Sequence, residues 1–218
     1  MSQSRAVEDY LKAIHKLQQR APSVSTSVLA EELDRSAASV TNMVKGLAEQ
    51  GLAEHIPYHG VRLTDAGELS ALRIIRRHRV LEMFLIDRLG YAWDDVHEEA
   101  ERLEHAASDE LIDRMAQVLG EPRFDPHGAP IPTRDGRMEH RALCRLTELP
   151  ERGVAIIRRV TDESSDTLRR LAELGLYPGA RVRLVRRDDA RGRLVLEVDG
   201  SDAELEATIA QGISVESV

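Results

Sequence analysis

One cysteine in 218 residues, Cys144, leaves no route to an intramolecular disulfide or a thiolate cluster, so any metal site must be assembled from histidine and carboxylate. No apolar run approaches the roughly 20 residues of a membrane span, and the opening segment MSQSRAVEDYLKAIHKLQQR lacks the apolar stretch of a secretory signal. The expectation is a cytoplasmic protein with no membrane partner. Catalytic signatures are missing too. No H-E-x-x-H occurs, Glu101-Arg-Leu-Glu-His105 misses H-x-x-E-H at its first residue, and there is neither a nucleophile elbow nor a glycine-rich loop. A metallohydrolase would need an open coordination position and a general base in a pocket, so the expectation is no enzyme.

A chain of this length holds one large or two to three small domains, each with a real core. The net charge of −8 weighs against a constitutive nucleic-acid binder, because phosphate contacts reward clustered Lys and Arg. The charge is segregated, however: Arg73, Arg76, Arg77 and Arg79 lie close together, whereas residues 94 to 113 are strongly acidic. A net-acidic chain that meets DNA would use a bound cation to bias the encounter.

Residues 5 to 19 place Val7, Leu11, Ile14 and Leu17 at helical intervals, and Ala21-Pro22-Ser23 ends that first helix. Residues 25 to 34 read as a short helix with apolar Val28, Leu29 and Leu33 and hydroxyls suited to its N-cap. Residues 36 to 50 read as a third, buried through Val40, Met43, Val44 and Leu47 and stopped by Gly51. Two helices this close, the second with small polar residues on its outer side, predict a helix-turn-helix. Two short strand-like runs, 52 to 56 and 61 to 64, flank the turn 57 to 60 and predict a wing.

A long helix opens at Thr64-Asp65-Ala66-Gly67 and runs to about Leu89, with two further helices over 94 to 107 and 108 to 119. Pro122, Pro126, Pro130 and Pro132 make 120 to 136 a linker with little regular structure. From Ala142 the pattern turns to strands at 154 to 160, 181 to 185 and 193 to 198, with a short helix over 166 to 174, which predicts a small β-barrel. The fold class is mainly α with a small β domain: a winged helix-turn-helix over 1–64, a helical domain with its proline-rich linker over 65–136, and the β domain over 142–218.

The informative segment is His97-Glu-Glu-Ala-Glu-Arg-Leu-Glu-His105. On a helix, His97, Glu101, Glu104 and His105 share one face, and His78 and Glu82 stand four apart on the preceding helix. One such helix by itself is more often a solvated charged face. The His78/Glu82 pair moves the balance toward a mixed oxygen and nitrogen shell suited to Mn2+ or Fe2+.

The order helix-turn-helix, wing, His78-Arg-Val-Leu-Glu82, the segment 97 to 105, Ser108-Asp-Glu110 and Asp125-Pro-His-Gly-Ala-Pro-Ile-Pro132 resembles the diphtheria-toxin-repressor family of iron- and manganese-dependent regulators over nearly the whole chain. The tail Leu168-Arg-Arg-Leu-Ala-Glu-Leu-Gly-Leu-Tyr-Pro-Gly179 is similar to the SH3-like domain that these regulators share with small ferrous-transport A proteins. The resemblance implies two metal sites per subunit: a primary one at Asp9, Glu101, Glu104 and His105, and a second at His78, Glu82 and His97. Asp9 and Glu101 stand where the iron-sensing branch has Met and Cys. These harder oxygen donors match the manganese-sensing branch, so the implied ion is Mn2+, with Fe2+ as the alternative. Lys12, where one manganese branch carries a Glu, implies that no shared two-metal cluster of that type forms. The third-domain ligands of the iron branch align near Ser164 and Thr167, with Asp162, Glu163 or Asp166, or else Glu98 or water, as replacements.

On the DNA side, Ser36, Ser39, Thr41, Asn42 and Lys45 lie on the outer part of the third helix, where they can reach phosphates or base edges. Tyr58, His59 and Arg62 of the wing can touch backbone or minor groove. His15, His55, His127 and His140 have no carboxylate at a ligand-like spacing and read as structural or exposed. The implied function is a metal-dependent regulator of metal homeostasis, a homodimer on an inverted-repeat operator of double-stranded DNA, repressing uptake genes or activating efflux genes. An iron-dependent regulator of the same family and a metal-independent winged-helix interaction module are the rivals; the second would show no metal-dependent DNA binding.

Overall fold

The computed structural model describes residues 4–56, 59–161 and 164–218. The chain divides into two compact units, one of Met1–His78, Glu104–Ala107 and Pro132–Arg137, the other of Arg79–Leu103, Ser108–Ile131 and Met138–Val218.

In the first unit, α1 (Arg5–Gln18), α2 (Thr26–Glu32) and α3 (Ala37–Glu49) precede a hairpin of β1 (Ala53–Ile56) and β2 (Gly60–Leu63), and α4 (Asp65–Leu89) follows. Each of the first three helices opens on a serine. Ser4, Ser25 and Ser36 hold extended backbone, and each hydroxyl accepts from the amide three residues on, that of Val7, Val28 and Ser39. Such a cap satisfies one of the helix's orphan donors and stabilises it by about 1 kcal/mol. Leu11 and Ile14 of α1, Leu29 of α2, Val40, Val44 and Leu47 of α3 and Val61 of β2 form one core, the apolar positions expected of a helix-turn-helix. Val28 instead faces outward. In the wing, Ala53 pairs with Leu63 and Ile56 with Gly60, and Val61 also bridges Val24. Gly60 has a φ of +104°, and a Cβ there would lie 2.0 Å from the Val24 carbonyl oxygen, so only glycine fits.

The second unit takes α4 from Arg79 onward, then α5 (Val96–Leu103) and α6 (Asp109–Val118). The helix expected over 94 to 107 therefore stops at Leu103. Ser108 must adopt extended backbone, φ −75° and ψ 152°, to cap α6 through the Leu111 amide, and residues 104 to 107 leave the helix to reach it. Residues 119 to 143 hold no helix or strand, as the prolines predict, but Ala129 and Ile131 are buried, so this stretch is packed and is no free linker.

Next come β3 (Cys144–Arg145), a 3-10 turn (Leu146–Glu148), β4 (Val154–Val160), α7 (Ser165–Glu173), β5 (Arg181–Asp188), β6 (Arg193–Val198), β7 (Ser201–Glu206), α8 (Ala207–Ala210) and β8 (Ile213–Ser217). The antiparallel strand order is β3-β8-β4-β5-β6-β7. Among the described residues β3 and β7 do not pair, so the sheet is open where a closed barrel was expected; β3 is only two residues long before the 3-10 turn removes it from the ladder. Leu168 and Leu171 of α7 join Ile157, Val182, Leu184 and Leu196 in its core. No described helix is long and apolar enough to cross a membrane.

Candidate metal centres

In the first unit Asp9, Glu104 and His105 each offer a ligand atom, all within 4.8 Å of one another. Asp9 is carried by α1, which Tyr10, Leu11 and Ile14 anchor in the core. Glu104 and His105 come from the turn after α5. Nε2 of His105 lies 3.0 Å from Asp9 Oδ1 and 3.5 Å from Glu104 Oε1, yet it is buried and makes no hydrogen bond, because neither oxygen lies along an N–H direction. Its Nδ1 is 2.6 Å from Glu8 Oε2. An ionised carboxylate only accepts, so Nδ1 carries the proton and Nε2 keeps a bare lone pair buried beside two more carboxylates. That arrangement is unfavourable in the protein alone and suited to a divalent cation. The donors, two carboxylates and an imidazole without sulfur, fit Mn2+ or Fe2+.

Glu104 is wholly buried. His78 Nδ1 donates to its Oε2 at 2.5 Å, and Lys12 Nζ donates to both oxygens at 2.9 and 3.1 Å. Burial pushes the Glu104 carboxyl up, but the His78 hydrogen bond and the charges of Lys12 and His78 outweigh it, and the net shift is downward. Lys12 thus seats a positive charge on Glu104.

In the second unit Glu82, Asp125 and His127, all buried, form another group with ligand atoms within 4.8 Å of one another. His97 Nδ1 is 3.3 Å from Glu82 Oε1. The turn Asp125-Pro-His-Gly128 builds this group. Asp125 Oδ1 accepts from the amides of His127 and Ala129, both at 2.9 Å, and Oδ2 lies 3.2 Å from Arg79 Nε. Gly128 has a φ of +84°, and a Cβ would meet the Arg158 carbonyl oxygen at 1.8 Å. His127 Nε2 is 3.1 Å from the Trp93 carbonyl oxygen, which only accepts; Nε2 is therefore protonated, and Nδ1 faces Glu82 Oε1 at 3.8 Å. The indole of Trp93 lies beside the imidazole, ring centres 5.1 Å apart. Burial and then the charge of Glu82 push the Asp125 carboxyl up, and Arg79 and His127 oppose this only in part.

Of the residues the sequence singles out, Asp9, Glu104 and His105 come together, with His78 on Glu104; Glu82 and His97 also come together. Glu101 stays on α5, with its Oε1 3.9 Å from His97 Nε2. Two expectations are corrected. Glu104 and His105 lie beyond the end of α5, so they share no helical face with His97 and Glu101. His127 does have acidic company, Asp125 from its own turn and Glu82 from α4, a pairing that no local spacing displays. The motif Asp125-Pro-His-Gly128 was the available signal, and the adjacency of Glu8 to Asp9 was the signal for Glu8. Asp166 is turned to solvent, where it pairs with Arg169; Asp162 and Glu163 lie outside the described residues.

On α3, Ser36, Ser39, Thr41, Asn42 and Lys45 are all exposed. Ser36 serves as the N-cap, and the Thr41 hydroxyl donates to the Ala37 carbonyl oxygen at 2.8 Å, so these two are partly committed to the helix itself. Arg62 on the wing pairs with Glu54 at 2.8 Å across the hairpin. His59 is exposed, and Tyr58 lies outside the described residues.

Residues 3–61 match the N-terminal DNA-binding domain of iron-dependent repressors, 64–133 their metal-binding and dimerisation domain, and 144–217 the FeoA domain. The iron-dependent repressor IdeR of Mycobacterium leprae is 30% identical over 97% of this chain and 96% of its own length. A manganese-dependent transcriptional repressor solved in complex with manganese is 39% identical with a TM-score of 0.91, covering 97% of this chain and 100% of that one. ScaR with bound Cd2+ is 35% identical with a TM-score of 0.83, covering 97% of this chain and 99% of that one.

Proposed function

The chain belongs to the iron-dependent repressor family and is a metal-dependent, DNA-binding transcription regulator, not an enzyme; on that premise we propose that it senses Mn2+. Asp9, Glu104 and His105 would hold the ion that controls DNA binding, with Glu101 kept as a ligand on the strength of the sequence resemblance. A second ion would sit at Glu82, Asp125 and His127 with His97 beside them. The observation that carries this reading is the buried lone pair of His105 Nε2 between two carboxylates. The absence of sulfur among the donors favours manganese over iron.

When bound, a divalent cation supplies the positive charge that this donor set lacks. Asp9 rides on α1, whose other side shares a core with α3, so fixing Asp9 against the turn at 104 to 105 also fixes the helix that carries Ser39, Asn42 and Lys45. In a dimer this sets the paired recognition helices for an inverted-repeat operator, with half-sites about one helical turn apart. The cytoplasmic output is repression of uptake genes or activation of efflux genes, and the C-terminal sheet is the SH3-like module of the family.

The test is binding to the chain's own upstream DNA, titrated anaerobically with Mn2+, Fe2+ and Zn2+ in parallel. Activation by Mn2+ supports the reading, activation by Fe2+ alone turns it to iron, and full affinity without metal sinks it. On the DNA side, Asn42→Ala should cost about 1–3 kcal/mol and relax sequence preference, whereas Lys45→Ala should weaken specific and random DNA alike. Equal losses on both DNAs for Asn42→Ala would remove Asn42 as a base reader.

A further inference from the structure

Glu8 is 5% exposed, sits directly before Asp9 on α1, and lies outside every ligand group described above. Its Oε2 accepts a hydrogen bond from His105 Nδ1 at 2.6 Å, and its Oε1 accepts from Arg77 Nη1 at 3.2 Å. We propose that Glu8, braced by Arg77, is the positioning residue that fixes the tautomer and ring plane of His105, so that Nε2 is presented as a metal-ready lone pair. This inference rests on the reading of Asp9, Glu104 and His105 as a metal centre.

Three features of the geometry carry it. A neutral imidazole has one protonated nitrogen, and carboxylates stand near both, Glu8 beside Nδ1 and the Asp9 and Glu104 oxygens 3.0 and 3.5 Å from Nε2. What decides the choice is the shorter contact to Glu8, the one that forms a hydrogen bond, while Nε2 forms none. Next, Glu8 is itself held. The Arg77 guanidinium, 18% exposed, fixes the second carboxylate oxygen, so Glu8 cannot swing to join Asp9 without breaking that ion pair. Finally, the side chain of His105 is 9% exposed, so water has little access to replace Glu8 as acceptor. A carboxylate behind a ligating imidazole orients the ring and raises its basicity, and losing such a partner typically weakens metal binding roughly 10–100-fold.

The experiment uses the full-length protein, wild type, Glu8→Ala, Glu8→Gln and His105→Ala, each checked for folding by circular dichroism and thermal melting. Mn2+ affinity is read from the electron paramagnetic resonance signal of free Mn2+. The tautomer is read on metal-free protein from the 15N shifts of the imidazole, with the His105 signals identified by their loss in His105→Ala. Glu8→Ala should weaken Mn2+ binding roughly 10–100-fold and move His105 away from the Nδ1-protonated form. Glu8→Gln, which keeps an acceptor oxygen in place, should recover a clear part of both. An unchanged tautomer in Glu8→Ala overturns the proposal, as does an affinity loss in Glu8→Gln equal to that in Glu8→Ala, which would mean that Glu8 acts by charge alone. If His105→Ala binds Mn2+ as wild type does, the metal-centre reading itself is what fails.

Discussion

Glu104 and Asp125 are both buried carboxylates with a histidine and a cationic side chain close by, yet the first has its carboxyl held below the ordinary value and the second has it raised. The difference lies in how each charge is met. Glu104 receives a hydrogen bond from His78 and two from Lys12, so its cost of burial is offset before any ion arrives. Asp125 spends one oxygen on two backbone amides, has Arg79 on the other, and faces the further negative charge of Glu82. Burial alone therefore predicts nothing about the charge a site prefers; the neighbours do. At the first candidate centre the burial of Glu104 is already offset by its neighbours, and an ion there must compete with Lys12 for that carboxylate. The second is over-acidic and gains more from any cation that enters.

The largest effect should come from removing a first-centre donor. Glu104→Ala or His105→Ala should abolish Mn2+-activated operator binding, a loss beyond roughly 100-fold, with the dimer still folded. Fluorescence anisotropy with operator DNA and sedimentation checks both halves, and wild-type Mn2+ dependence in either variant would erase the distinction between the two centres. Lys12→Met should have a smaller effect of two signs. The metal-free protein should lose about 1–2 kcal/mol, because Glu104 stays buried with one partner fewer; the figure is discounted for the partial exposure of Lys12. Mn2+ should bind more tightly, since its competitor is gone. Urea unfolding and Mn2+ titration measure the pair, and weaker Mn2+ binding would show that Lys12 assists the ion.

The smallest effect belongs to Asp125→Asn, which keeps an acceptor for the amides of His127 and Ala129. Because the folded carboxyl is raised, its neutral form is the one the fold favours. Its contribution to stability is present below the ordinary value of 3.8 and is lost as pH rises through the raised folded value. At neutral pH the substitution should stabilise the metal-free protein, and this advantage should fade in acid. Thermal melts across pH, without and with Mn2+, test it; a destabilised variant at neutral pH would mean that Arg79 compensates Asp125 fully.

The parts of the fold that rest on local rules were readable from the sequence. Apolar spacing over 5 to 19, 25 to 34 and 36 to 50 announces three helices, and Val40, Val44 and Leu47 show which side of the third is inside. Strand β7 was not readable, because only Ala203 and Leu205 alternate inward in an otherwise polar run, and neither was β3, two residues long. In the centres, Asp9 entered through family resemblance, and its contact with His105 spans nearly a hundred positions of chain. Glu8 and the Glu82, Asp125 and His127 group escaped because their partners meet only through tertiary packing. The end of α5 was misread because the helical period continues through Glu104 and His105 although the backbone turns away to let Ser108 cap the next helix.

The chain has a single tryptophan, and it is the residue whose carbonyl and ring hold His127. Its indole N–H donates to the Pro126 carbonyl oxygen, within the same turn that carries Asp125 and His127. The protein therefore contains one natural optical probe, wired to one of the two candidate centres, while no tryptophan stands in the other. Intrinsic emission excited selectively at the indole should follow the filling of the Glu82, Asp125 and His127 group, and DNA affinity should follow the other. The unlabelled native protein can thus separate two binding curves that a bulk metal titration would merge.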